Sequence, residues 1–129
     1  MVKRTIIALV LFISLIGIGT YEMIAVNKII TRLDNKTAEL QTLVKENENN
    51  LTVVTDSIDN LKGYWDKHEY GLYLMFNHKD LSTVTDSLSK LKSYVSSNDY
   101  DDAITEVNLL KEYTEKNIPI MGFNLQNIL

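Results

Sequence analysis

Hydrophobic residues recur at alternating steps of three and four along most of the chain, a pattern that predicts helices rather than strands. It is clearest in two stretches, residues 51–65 (LTVVTDSIDNLKGYW) and 81–95 (LSTVTDSLSKLKSYV), which share eight of fifteen residues at matching places. We call them the first and second segments. Their apolar stripes consist of Leu51, Val54, Ile58, Leu61 and Trp65, and of Leu81, Val84, Leu88, Leu91 and Val95. Because either helix alone would leave its stripe in water, we expect the duplicated helix motif to bury both stripes together.

Polar clusters between the apolar stretches predict where the helices begin and end. Asn50 and Asp80 immediately precede the two segments, and each side chain can accept a hydrogen bond from a first-turn amide. The ENENN cluster at residues 46–50 predicts the end of the first helix. Ser96 to Asp99 predicts a second turn, with Asn98 or Asp99 as the N-cap of the next helix.

A fourth helix is predicted from about Tyr100 to Lys116. Its stripe should consist of Ala103, Val107 and Leu110, widened by Ile104 and Leu109. Pro119 and Gly122 should stop the helix. The predicted fold class is therefore all-α, with about four helices in an up-and-down bundle.

The N-terminus has the pattern of a membrane anchor. Lys3 and Arg4 precede a run without charged residues from Thr5 to Tyr21, long enough to span a bilayer. The alternatives are a cleaved signal peptide, for which Gly17 and Gly19 offer a poor cleavage site, and a buried core helix. We favour the retained anchor, because no comparably apolar helix follows to cover a core helix of this kind.

The domain boundaries follow from that anchor. The positive N-terminal residues favour the cytoplasm, which predicts residues 1–4 in the cytoplasm and residues 5–21 as a transmembrane helix. Residues 22–129 are then a helical bundle domain on the extracytoplasmic side. Since the steps of three and four continue from Val26 to Val44, the first helix should leave the membrane as a stalk and join the bundle.

Composition supports an all-α protein and argues against two classes of site. The 129 residues include one proline and five glycines, and no cysteine, which excludes disulfides and thiolate metal ligands. The formal net charge of −4 includes the two N-terminal positive residues, so the remainder is more acidic still. An acidic surface repels phosphate backbones and anionic lipid head groups, and we therefore expect no nucleic acid among the partners.

The polar residues give little support to catalysis or metal binding. His68 and His78 lie ten residues apart, whereas ligands on one helix face need a spacing of three or four. Ser87 and Lys90 match a pattern of serine acyl enzymes, but its partner motifs are missing, so we expect a solvated helix face there. Acidic residues that open the fourth helix lack the spacing of a Ca²⁺ loop: Asp99, Asp101, Asp102 and Glu106. The sequence predicts no catalytic, cofactor or metal-binding residue.

Five of the eleven aromatic residues lie between Gly63 and Phe76. We expect Trp65 to be buried and Tyr64 to lie at the edge of the core, with Tyr94 as its equivalent in the second segment. The candidate partner-binding residues are Tyr64, Tyr70, Tyr73 and Phe76, if they form an exposed patch. The alternative is that these rings fill the core. Phe123, Leu125, Ile128 and Leu129 near the C-terminus admit the same two interpretations.

Several of these features together resemble a family of small proteins from low-GC Gram-positive bacteria that is known only as a domain of unknown function. The shared features are the basic N-terminus with one apolar span and Trp65 thirteen residues before His78, followed by the stretches DLSTVTDSLSKLKSYV, NDYDDAITEVNLLKEY and NLQNIL. The resemblance implies a membrane-anchored helical bundle and supplies no catalytic residues.

The sequence therefore favours a single-pass membrane protein whose exterior bundle is a non-enzymatic binding, sensing or scaffold module of the cell envelope. Its expected partners are the membrane, through residues 5–21, and an envelope protein. Two alternatives stay open: a secreted helical protein released by signal-peptide cleavage, and a cell-envelope enzyme.

Overall fold

The computed structural model describes residues 1–117, and this part of the chain is helical almost throughout. Its four α-helices are α1 (Val2–Glu46), α2 (Thr55–Tyr73), α3 (His78–Ser96) and α4 (Tyr100–Glu112). A 3₁₀ turn, Leu51–Val54, leads into α2, and a π-helical turn, Tyr113–Asn117, follows α4. The predicted all-α class is confirmed. The predictions for Pro119, Gly122, Phe123, Leu125, Ile128 and Leu129 lie outside the described residues.

The bundle helices run alternately up and down, as side-chain contacts between them show. Trp65 of α2 bonds Thr85 of α3, while Asp59, earlier in α2, bonds Lys92, later in α3. Later residues of α3 thus contact earlier residues of α2, so the two helices are antiparallel. Helices α1 and α4 pair in the same way, through Gln41 with Asn108 and Asp34 with Lys111. Short turns join the successive helices, as expected for this topology.

The core is built from the predicted stripes. All ten stripe residues of the first and second segments are buried, and none is more than 1% exposed. Helix α1 adds Ile30, Leu33, Leu40 and Val44, and α4 adds Ala103, Val107 and Leu110. The expected burial of the two stripes is confirmed. Leu109 was wrongly included in the α4 stripe: it is 55% exposed, because it lies two residues after Val107 and so about 200° around the helix.

Helix α1 has an exposed first half and a second half that packs in the bundle. Its side chains are exposed from Val2 to Glu22, and burial begins at Met23. The exposed half contains an 18-residue window with a mean hydropathy of 2.1, none of it buried, so α1 is long and apolar enough to cross a membrane. No glycine or proline lies between Thr20 and Asn50, and the two halves form one continuous helix.

Two of the predicted caps are wrong, and in both cases another polar side chain binds the free amide. Asp80 lies within α3, because Asn77 adopts an extended backbone three residues earlier and accepts a hydrogen bond from the Lys79 amide at 3.0 Å. Asn50 precedes the 3₁₀ turn, but its side-chain oxygen accepts from the Thr52 hydroxyl at 2.6 Å and caps no amide.

Asn98, in the turn between α3 and α4, binds the Leu51 amide, which the Asn50 side chain does not bind. Its φ of 53° is in the left-handed region, which asparagine tolerates better than most residues, and its side-chain oxygen accepts from the Leu51 amide at 2.9 Å. The next residue, Asp99, accepts from the Asp102 amide at 3.2 Å and is the N-cap of α4, as predicted. The start of the first segment and the end of the second are thus joined at one end of the bundle.

Candidate functional site: the aromatic segment of α2

The aromatic segment, residues 63–76, forms the last part of α2 and the turn into α3. The four candidate residues within it have different surroundings. Tyr64 and Tyr73 are half-buried against the core, Phe76 is 9% exposed and belongs to the core, and Tyr70 is 79% exposed. The Phe76 amide donates to the Leu72 carbonyl at 2.9 Å, which folds the ring back under α2. The structure therefore does not bring the four into one exposed patch.

Tyr64 lies at the edge of the core, as predicted, and contacts the basic face of α1. Its hydroxyl donates to the Ile29 carbonyl at 3.5 Å. The Arg32 guanidinium carbon and the Lys36 Nζ lie 5.8 and 5.6 Å from the centre of its ring, within the range of cation–π attraction. Burial raises the pKa of Tyr64, against the opposing effect of the Arg32 charge, so its hydroxyl stays protonated at neutral pH.

His68 packs on the same ring, with its own ring centre 4.6 Å from that of Tyr64. Burial lowers the pKa of His68, and the positive charges of Lys67 and Arg32 lower it further. The imidazole is therefore neutral at neutral pH. Its role in the fold is to cover Tyr64 next to two cations, a place where a charged imidazolium would be repelled.

A short chain of hydrogen bonds links α2 to α3. The Trp65 Nε1 donates to the Thr85 hydroxyl at 2.8 Å, and that hydroxyl donates to Glu69 Oε1 at 2.7 Å. The Tyr73 hydroxyl donates to the same carboxylate oxygen at 2.5 Å. Two O–H donors thus hold Glu69 in place, and the buried indole has its partner. Glu69 and Thr85 were not among the predicted site residues, because their hydrogen bond depends on the pairing of α2 with α3.

Tyr73 also contacts the first residue of α3. Its ring stacks on that of His78, with centres 4.3 Å apart and planes 10° from parallel. The hydrogen bond to Glu69 is the main reason why the pKa of Tyr73 is raised, and partial burial adds to it. These contacts fix the turn between the two helices. Contacts of this kind are typical of residues that stabilise a turn between two helices.

Two apolar side chains that the sequence analysis did not single out stand beside Tyr70. Leu74 is 81% exposed and Met75 is 45% exposed. Leu74 follows Tyr70 by four residues, and its backbone is still helical, so the two share one face of α2. The spacing of four residues between Tyr70 and Leu74 is visible in the sequence. Their exposure is not, since it depends on where α2 extends beyond the core. We call Tyr70, Leu74 and Met75 the hairpin tip.

A concave region lies between α3 and α4. This cleft has a volume of about 420 Å³ and is lined by residues that include Ser87, Lys90, Glu106, Leu109 and Tyr113. Ser87 is only 7% exposed and donates a hydrogen bond to Glu106, which corrects the expected solvated face. Lys90 is exposed. The Ser87 hydroxyl thus pairs with a carboxylate of α4, and not with the lysine of the acyl-enzyme pattern.

The remaining polar candidates have structural roles or are exposed in the part of the chain that the structure describes. Asp99 caps α4, Asp101 and Asp102 are exposed in its first turn, and Glu106 accepts from Ser87. Residues 1–117 contain no group of three or more histidine, cysteine or acidic side chains placed to hold a metal ion. Negative residues in the first turn favour the positive end of the helix dipole, which explains their position without a ligand.

Comparison with known proteins assigns the chain to a family. No curated protein and no solved structure matches the chain. One family model, Domain of unknown function (DUF4363), matches residues 20–128. The match includes both segments, the aromatic segment and, except for the last residue of NLQNIL, the stretches that carry the resemblance, but not the basic N-terminus or most of the apolar run. The predicted relation to an uncharacterised domain is confirmed, and the chain belongs to the DUF4363 family.

Proposed function

We propose that the protein is a membrane-anchored helical module of the cell envelope, with a non-enzymatic binding, sensing or scaffold role. Residues 5–21 form its anchor, and its bundle lies outside the cytoplasmic membrane. The observation that carries this proposal is the continuity of α1, whose apolar, fully exposed first half runs without a break into a second half that is part of the bundle core.

The exposed half of α1 needs an apolar surrounding. Its exposed apolar side chains include Ile7, Leu9, Val10, Leu11 and Phe12, each more than half exposed. A helix that packs against a core on one side would have one apolar face, whereas these residues lie all around the helix. A bilayer covers such a helix on all sides. Lys3 and Arg4 before the span support a cytoplasmic N-terminus and thus an exterior bundle.

The non-enzymatic role is supported by how the polar groups in the bundle are used. Glu69 accepts from Tyr73 within α2 and from Thr85 of α3, and Ser87 of α3 donates to Glu106 of α4, so two of these three contacts join different helices. Every buried side-chain nitrogen or oxygen in the part of the chain that the structure describes has a hydrogen-bond partner. An unpaired buried polar group, which active sites often contain, is therefore absent from these residues.

The anchor is tested with full-length protein expressed in a bacterial host. We expect it to remain in the membrane after alkaline carbonate washing, with an intact N-terminus by mass spectrometry, and to be digested by protease added to whole cells with a permeabilised wall. Full-length protein in the medium, or a mature N-terminus near Thr20, would instead support the secreted alternative. Protection from external protease would place the bundle in the cytoplasm.

A matched pair of variants separates the span from the bundle. Leu11→Arg places a charge near the middle of the apolar run, at an apparent insertion cost of about 2.5–3.5 kcal/mol, and should shift protein to the soluble fraction. Leu109→Arg introduces the same charge at a side chain of similar exposure on α4, and should leave the protein in the membrane. Equal fractionation of the two variants would contradict the anchor.

A further inference from the structure

The hairpin tip lies at the end of the bundle that faces the span of α1. Tyr64 of α2 contacts Ile29 and Arg32 of α1, and the two helices run in opposite directions. From Tyr64, α2 advances nine more residues to Tyr73, about 14 Å along its axis. The same distance back along α1 from Arg32 leads to Met23. Burial on α1 begins at that residue, which shows that the bundle reaches this level.

The apolar run ends close to the same level. Its last residue, Tyr21, is 74% exposed and lies two residues before Met23, about 3 Å along the helix. The turn between α2 and α3 therefore lies within about one helical turn of the point where the span ends. Given the anchor, this end of the bundle faces the bilayer surface, and the end that carries Asn98 faces away from it.

Exposed apolar side chains are concentrated at this end. Beyond residue 24, the large hydrophobic residues that the described structure leaves exposed are Val53, Tyr70, Leu74, Met75 and Leu109. Three of the five form the hairpin tip, and Leu74 is the most exposed of them at 81%. A tyrosine beside aliphatic side chains is typical of residues at a membrane–water interface, where the ring is apolar and the hydroxyl can stay hydrated.

The backbone of the turn is suited to an apolar surrounding. The Met75 and Phe76 amides both donate to the Leu72 carbonyl, at 3.0 and 2.9 Å. On the other side of the turn, the Asn77 side chain accepts from the Lys79 amide at 3.0 Å. Amides without partners would resist transfer from water into lipid, because nothing there replaces the lost hydrogen bonds. These three amides are already bonded within the protein.

Charged residues lie at both ends of the bundle. Exposed cations near the turn and on the adjoining part of α1 are Lys28, Arg32, Lys67 and Lys79, and the exposed acidic residues Glu22 and Asp66 lie among them. The opposite end carries exposed acidic residues in and beside its two turns, at Glu46, Glu48, Asp99, Asp101 and Asp102, with Lys45 as the cation beside them. An anionic lipid surface attracts lysine and arginine side chains and repels carboxylates. The lysines that flank the turn therefore suit anionic head groups, while the orientation itself rests on the apolar tip.

We propose that the turn between α2 and α3 rests in the interface of the bilayer that α1 crosses, with Tyr70, Leu74 and Met75 as its contact residues and anionic lipid head groups as the partners of the flanking lysines. This inference rests on the proposed anchor. The protein then has two membrane contacts, one spanning and one peripheral, and the bundle is held upright by both.

The test uses full-length protein reconstituted in vesicles that contain phosphatidylcholine and phosphatidylglycerol. The chain has no cysteine, so Leu74→Cys and Val53→Cys each provide a single site for a bimane label. Val53 is the matched control, because it is 57% exposed and lies in the 3₁₀ turn at the opposite end of the bundle. Thermal unfolding followed by circular dichroism checks that both variants fold.

Nitroxide lipids labelled at shallow depth should quench the label at position 74 and not at position 53, since interfacial side chains enter about 5–10 Å below the head groups. Lys67→Glu with Lys79→Glu should reduce the quenching in anionic vesicles. A label at 74 that stays open to aqueous quenchers in a carbonate-resistant protein would overturn the inference and leave the anchor intact. A label shielded from both quenchers would indicate that position 74 is covered by protein, either the same chain or a second copy, and would also overturn it. A protein that washes out of the vesicles would refute both proposals.

Discussion

The first and second segments have the same apolar stripe, but their polar residues have different partners. Thr85 in the second segment bonds Trp65 and Glu69, whereas its counterpart Thr55 begins α2 and has no such bond in the structure. Ser87 is buried against Glu106, while its counterpart Ser57 is only half-buried. The stripe therefore sets how each helix packs, and the antiparallel neighbour decides what each polar residue does.

The two segments should behave alike at the matching leucines of their apolar stripes. Leu61 and Leu91 occupy equivalent positions and are 1% and 0% exposed. Leu61→Ala and Leu91→Ala should each lower the free energy of unfolding by about 2–5 kcal/mol, because each leaves a cavity in the core. Denaturant unfolding of the full-length protein in mild detergent, followed by circular dichroism, measures both.

Val53→Ala is the control for these two variants. Val53 lies in the first segment but is 57% exposed, so its truncation should change the free energy of unfolding by no more than about 0.5 kcal/mol. A Leu61→Ala or Leu91→Ala protein as stable as the wild type would show that the assigned register of the stripes is wrong.

The threonine pair should behave differently in the two segments. Thr85→Val keeps the shape of the side chain but removes the hydroxyl between Trp65 and Glu69. The buried indole N–H then has no acceptor, and the expected loss is about 1–3 kcal/mol. Thr55→Val is the matched variant and should lie within about 0.5 kcal/mol of the wild type. Equal losses would mean that the hydrogen-bond chain does not stabilise the fold.

The serine pair should show a smaller difference of the same kind. Ser87→Ala removes one hydrogen bond to Glu106, a residue that is half-buried and can turn to water. The expected loss is about 0.5–1.5 kcal/mol. Ser57→Ala is the counterpart and is expected to have almost no effect. Melting curves recorded side by side would settle the difference, and a larger effect for Ser57→Ala would reverse the assignment of partners.

The smallest expected effect concerns His68, which lies just beyond the first segment; Asn98, its counterpart beyond the second segment, does not titrate. The pKa of His68 in the folded protein is below the unfolded value of about 6.5, because of burial and nearby cations. As the pH falls through that value, the unfolded chain binds the proton first, so the free energy of unfolding should decrease. Above it, this contribution is fully present.

His68→Gln tests this dependence, because glutamine does not titrate. Unfolding measured between pH 7.5 and 5 should show a shallower loss of stability in the variant than in the wild type. The other titratable groups remain the same in both proteins, so the difference in slope belongs to this site. Parallel slopes would contradict the role of His68.

The helices and the core could be predicted because they depend on local periodicity. Leu51 to Trp65 and Leu81 to Val95 follow steps of three and four, and any amphipathic helix with that spacing buries the same face. The end of α1 followed from the polar cluster at residues 46–50 in the same way. These features need no knowledge of which helix packs on which.

The wrong or missed details depend on contacts between distant parts of the chain. The Leu51 amide is bonded by Asn98, forty-seven residues away, so a cap search near Asn50 could not find its partner. Phe76 turns into the core because of the α2–α3 turn, which the alternation of polar and apolar residues does not specify. The Glu69 bonds likewise appear only once α2 and α3 are paired.

The unbroken course of α1 has a mechanical consequence. The part of α1 from Met23 to Glu46 is about 36 Å long, and a span tilted by about 20° would swing its far end sideways by roughly 12 Å. Sharp helix kinks usually need proline or glycine, and in α1 the only glycines are Gly17 and Gly19, within the apolar run. With the proposed anchor, the helix acts as a lever whose pivot lies in the apolar run, and a small change in its tilt becomes a large displacement of the acidic end of the bundle.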